Sequence, residues 1–80
     1  MRTLPHALTG LQRFHFNVRM GDELLIDRDG VMLPDVSDAI AEALICAQVQ
    51  RTPSKGGASG RRRFEIVDDV GKLLATVPID

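Results

Sequence analysis

The residue pattern predicts an α+β fold of order ββαββ, a four-stranded and mainly antiparallel sheet with one helix packed on one face. Three observations lead there. Apolar and polar residues alternate from Arg13 to Met20 and again from Arg61 to Asp68, the period of a half-buried strand. Between these stretches, from Val36 to Gln50, apolar residues recur at the helical period instead. The third is size: 80 residues, 44% of them hydrophobic, hold one small globular domain and leave no room for a second.

In the first strand Phe14, Phe16, Val18 and Met20 share one face, and Arg13, His15, Asn17 and Arg19 share the other. Gly21-Asp22 then turns the chain, so that Glu23 to Asp27 returns beside it as a hairpin. Arg28-Asp29-Gly30 is a second turn signal. The residues that follow, Val31 to Leu33, are extended, because the residue preceding Pro34 is pushed out of the helical region. Asp35 caps the helix placed at Val36 to Gln50, and Asp38 adds negative charge to its first turn. On that helix Val36, Ala39, Ile40, Ala43, Leu44 and Ala47 form the stripe expected to face the sheet.

The Gly- and Ser-rich run at 52–60 reads as a flexible loop. Strand three takes Arg61 to Asp68, with Phe64 and Ile66 inward. A turn over Asp68 to Lys72 leads to strand four, ending at Ile79, with Leu73, Ala75 and Val77 inward. Pro78 near its end suits an edge or a terminus. Residues 1–12 are read as a mobile N-terminal extension and 13–80 as the folded domain.

The run Arg13-Phe14-His15-Phe16-Asn17-Val18, the run from Asp27 to Asp35, and Arg63-Phe64-Glu65-Ile66 followed by Asp69-Val70-Gly71 together resemble a family of small bacterial proteins. That family is abundant in rhizobia and related alphaproteobacteria and is known only as a domain of unknown function. The resemblance spans about Arg13 to Ile79. Its most specific element is Asp-x-x-Gly-Val-x-Leu-Pro-Asp at 27–35, which suits a turn, a short extended piece and a helix cap. The resemblance implies the same order of elements and a bacterial cytoplasmic setting, with no activity, cofactor or catalytic residue to carry over.

Composition narrows the function classes. Ten Lys+Arg against eleven Asp+Glu leave a net charge of −1, which removes the global positive potential that drives sequence-independent nucleic-acid binding. Cys46 is the single cysteine, so no intramolecular disulfide forms and a reducing cytoplasm is expected. No apolar run approaches the ~20 residues that span a bilayer, so no membrane role is expected.

Candidate chemistry is sparse. One Cys and two His, His6 and His15, lack the paired spacing of a metal site, and no metal or other cofactor is expected. Cys46 has no local base or cation to activate it and reads as a small core residue. The acidic residues between Asp22 and Asp38 lack the alternating order of a calcium loop. Lys55 to Gly60 lacks the terminal Gly-Lys-Ser/Thr of a phosphate loop and reads as a linker. No catalytic set emerges, and an enzyme is not expected.

Two surfaces are left. Ala41, Ile45 and Val49 recur at spacing four, with Ile45 roughly opposite the core stripe, which points to a protein-interaction module that associates with itself or with another protein. The alternative is a nucleic-acid-binding module using Arg61, Arg62 and Arg63, set against the absence of Tyr and Trp for base stacking.

Overall fold

The computed structural model describes residues 10–50 and 61–79. Residues 1–9 of the extension expected at 1–12, and the loop expected at 52–60, lie outside the described residues. The elements are β1 (Gln12–Met20), β2 (Glu23–Leu25), β3 (Val31–Leu33), α1 (Val36–Gln50), β4 (Arg62–Val67) and β5 (Leu73–Pro78). This is the expected α+β arrangement with a first correction: the antiparallel sheet has five strands, and the order is βββαββ. β1 itself begins at Gln12, inside the expected extension, because Gln12 pairs with Leu33.

The extra strand is β3. The path through the sheet is β2-β1-β4-β5, and β3 also pairs with β1. Val18, Arg19 and Met20 of β1 pair with β2, whereas Gln12, Arg13 and Phe14 pair with β3. β2 and β3 therefore lie end to end along one edge of β1, and residues 26–30 make an excursion between them. Three residues after a turn signal carry too little alternation to read as a strand; what makes β3 a strand is its partner, some twenty residues away in sequence.

One face of this sheet holds the core. Phe14, Phe64, Ile66, Val77 and Ile79 are buried there beneath Ala39, Ala43 and Ala47 of α1. Phe16 and Phe64 meet edge to face, their ring centroids 6.2 Å apart, the arrangement that aromatic quadrupoles favour. Fully burying a side chain such as Phe14, Ile66 or Ile79 contributes roughly 1.5–3 kcal/mol. Three alanines on the contact line let the helix backbone approach the sheet closely. The consequence is a buried stripe narrower than expected: Val36 and Leu44, placed inward by periodicity, are exposed.

A second correction concerns β5. Ile66 pairs with Ala75, but Val67 pairs with Leu73, so a bulge inserts one residue there. Leu74 turns toward the core and Leu73 out to solvent, reversing the parity that strict alternation assigns. At the far end of β5 the Ile79 N–H donates to the Arg62 carbonyl at 2.9 Å. That bond sets the phase of the ladder, so Pro78, one residue earlier, aims its missing N–H at the open edge. The proline costs no hydrogen bond and blocks strand addition.

Asp35 caps α1 as its position predicts: its Oδ1 accepts from the Asp38 N–H at 3.0 Å, and its carbonyl accepts from Ala39. Replacing Asp35 by alanine is expected to cost about 1 kcal/mol, read as a lower denaturant midpoint with unchanged slope.

Candidate functional site

Two faces of the molecule are open to partners, and strand alternation decides what each carries. The uncovered face of the sheet receives Arg13, His15, Asn17 and Arg19 from β1 and Arg63 and Glu65 from β4. It is polar and internally paired. The Glu65 carboxylate accepts from Arg19 Nε and from Arg63 Nη2, each at 3.2 Å.

Further along this face a junction is built on Asp27. Its Oδ2 accepts from the Phe16 N–H at 3.0 Å and its Oδ1 from the Gly30 N–H at 3.2 Å, while its own N–H donates to Asn17 Oδ1 at 2.9 Å. Side chains thus stand in for the ladder where the edge strand breaks. This explains why Asn17 is buried without an unsatisfied polar atom. His15 lies over the junction. Its Nδ1 donates to the Asp27 carbonyl at 2.8 Å, and its Nε2 stands 2.9 Å from Asp69 Oδ1 in the β4–β5 turn. With an acceptor at each ring nitrogen, the doubly protonated imidazolium is the form that fits. The hydrogen bond to Asp69 first and that to the Asp27 carbonyl second hold His15 above its ordinary pKa, with partial burial opposing them. Arg13 completes the group, donating to the Asp29 carbonyl at 2.7 Å and lying 3.9 Å from Asp69. A shallow open depression adjoins it, lined among others by Leu11, Arg13, Met32, Asp69 and Val70.

Alternation puts His15 on the polar face but names no partner for it. Asp69 lies 54 residues away; the local sign is only its place in the turn over Asp68 to Lys72.

The opposite side of the molecule carries α1. The expected interface residues Ala41, Ile45 and Val49 are all exposed, Ile45 at 61% and Val49 at 79%, and Leu44 joins them at 51%. Ala41, Leu44, Ile45 and Val49 recur at the helical period and form a second apolar stripe facing away from the sheet. α1 packs on β5, β4, β1 and β3 but not on β2. Leu25, paired with the inward Val18, is therefore left uncovered.

The arginine trio does not converge. Arg61 is exposed, Arg63 lies on the bare sheet face against Glu65, and Arg62 turns to the helix side, where its Nη2 donates to the Gln50 carbonyl at 3.0 Å and caps the end of α1. Cys46 is half-buried against the core, on the other side of the sheet from His15. Among the described residues no group of three or more His, Cys, Asp or Glu side chains could hold a metal ion, and no helix is long and apolar enough to cross a membrane.

A family model described as Domain of unknown function (DUF6894) matches residues 13–80. No curated protein and no solved structure matches the chain.

Proposed function

Because the chain belongs to the Domain of unknown function (DUF6894) family, whose description supplies no activity, we propose from its own surfaces that it is a small non-enzymatic protein-interaction module that self-associates through the outer face of α1. The observation that carries this reading is how the helix divides its apolar residues. It buries three alanines fully, keeps Ile40 half-buried beside them, and leaves Leu44, Ile45 and Val49 in water. A helix stabilised only by its own sheet would do the reverse, since a Leu or Ile buried there contributes more than an Ala. A contiguous exposed stripe on a small domain marks a docking surface.

A second copy is the occupant that charge supports. Asp35, Asp38 and Glu42 lie toward the start of α1, and Arg62 caps its last carbonyls at the other end. Two helices packed antiparallel about Ile45 bring opposite charges together at both ends while burying both stripes. Pro78 closes the alternative of pairing through β5. A bacterial cytoplasm, where the Cys46 thiol stays reduced, is the setting that goes with this reading.

Sedimentation equilibrium tests it. The expected result is a dimer in which Ile45→Asp weakens association by roughly 2 kcal/mol or more, about thirtyfold. A chain monomeric at high concentration and indifferent to Ile45→Asp would overturn it.

Nucleic-acid contact through Arg61, Arg62 and Arg63 has less support. Alternation sends neighbouring arginines to opposite sides, Arg63 is paired with Glu65, and the phenylalanines that could stack on bases face the core. Salt-sensitive RNA or DNA binding that is lost when all three become alanine would favour it instead.

A further inference from the structure

We propose that His15 is a proton-operated latch between the loop after β2 and the β4–β5 turn: doubly protonated, its ring holds Asp27 and Asp69 together, and on losing one proton it keeps Asp27 and releases Asp69. This is independent of self-association, which uses the other side of the molecule.

The geometry gives the latch two unequal arms. The Asp27 carbonyl oxygen can only accept, so Nδ1 must carry hydrogen for the 2.8 Å contact to be a bond. The backbone around that oxygen is pinned, since Asp27 is also held by Asn17, Phe16 and Gly30. Asp69 is different: its side chain is 65% exposed on a turn. When one proton leaves, Nδ1 keeps its hydrogen, because the pinned carbonyl cannot move away. The Nε2 lone pair then faces a carboxylate oxygen at 2.9 Å, and the exposed carboxylate is the partner free to swing into water or toward Arg13.

The charged groups facing the ring leave that arm as the switch. They are Arg13 on its own strand, Asp27 in the loop, Glu65 on β4, and Asp68 and Asp69 in the turn. Glu65 is held by Arg19 and Arg63. The Asp68 carboxylate is held by the Val70 and Lys72 amides at 3.0 and 2.9 Å, so the turn itself persists when Asp69 leaves. What changes is the wall of the depression that Asp69 and Val70 line with Arg13 and Met32.

The test is an NMR titration of the intact chain from pH 5 to 9, with the His15 resonance assigned by comparison with His15→Gln. Wild-type His15 is expected to titrate above about 6.5. The amide shifts of Asp69 and Val70 should follow the same midpoint, and Nδ1 should be the protonated nitrogen at high pH. Asp69→Asn is expected to return the midpoint toward about 6.5, since its amide can donate to a neutral Nε2. A midpoint at or below that value, a midpoint indifferent to Asp69→Asn, or turn amides that do not move with His15 would overturn the latch. Denaturation gives a second readout. The stability this pair adds is full below about pH 6.5, the unfolded value, and is lost as pH rises through the higher folded value. That loss is expected to vanish in His15→Gln and to shrink in Asp69→Asn, where the bond to the Asp27 carbonyl remains.

Discussion

Substituting alanine for Gly30 is expected to destabilise the fold by roughly 2–4 kcal/mol, lowering Tm by roughly 10–30 °C for a domain of this size. Two costs combine. Gly30 has φ +69°, and a Cβ built on it would stand 2.9 Å from the Phe14 carbonyl oxygen, 2.9 Å from Arg13 Cγ and 3.1 Å from His15 Cε1. The carbonyl belongs to the central strand and cannot yield without breaking the β1–β3 pairing. Relief must therefore come from moving the excursion outward, which pulls the Gly30 N–H away from Asp27. Gly21 supplies the control. Its φ of +61° is similar, but nothing lies within 4 Å of a Cβ there, so Gly21→Ala should cost only about 1 kcal/mol. Denaturant unfolding of the two variants measures the difference, and equal losses would show that backbone conformation alone governs both sites.

This contrast marks where sequence reading stops. The helix, its Asp35 cap and the turns are set by neighbours within a few residues, and all lie at or near the bounds the residues predict. Gly30 could be read as a turn residue, but not as the floor beneath Arg13 and His15, because that depends on β3 returning to β1. The same holds for Leu73 and Leu74, whose faces are exchanged by one bulge in the ladder to β4. It holds again for Leu44, which the helical period places inward and the narrow alanine contact with the sheet leaves exposed. Alternation located His15 and Arg13 on a polar face; only the register brought Asp27 and Asp69 to them. The 27–35 run gains meaning in the same way: Asp27 repairs the broken edge, Gly30 permits the close approach, Val31 to Leu33 re-enter the sheet, and Asp35 starts the helix.

Asp27 separates charge from acceptor geometry. The Asp27→Ala variant leaves the Phe16 and Gly30 amides without their acceptor in a partly buried setting, at an expected cost of about 2–6 kcal/mol, since each orphaned donor costs about 1–3 kcal/mol. Asn is the informative substitution. It matches Asp in shape but offers one acceptor oxygen where two are in use, so its NH₂ must face one of the two amides. Asp27→Asn is therefore expected to recover less than half of the loss. Glu adds a methylene that the 3.0 and 3.2 Å contacts leave no room for, and should do no better. If Asn instead restored full stability, a single hydrogen bond would suffice to hold the excursion, and the two-pronged carboxylate could not be what joins β2 to β3 along one edge. Hydrogen exchange localises the effect: in Asp27→Ala the amides of β3 should lose protection before those of β4, because β3 is tied to the sheet through β1 and this junction while β4 pairs on both sides.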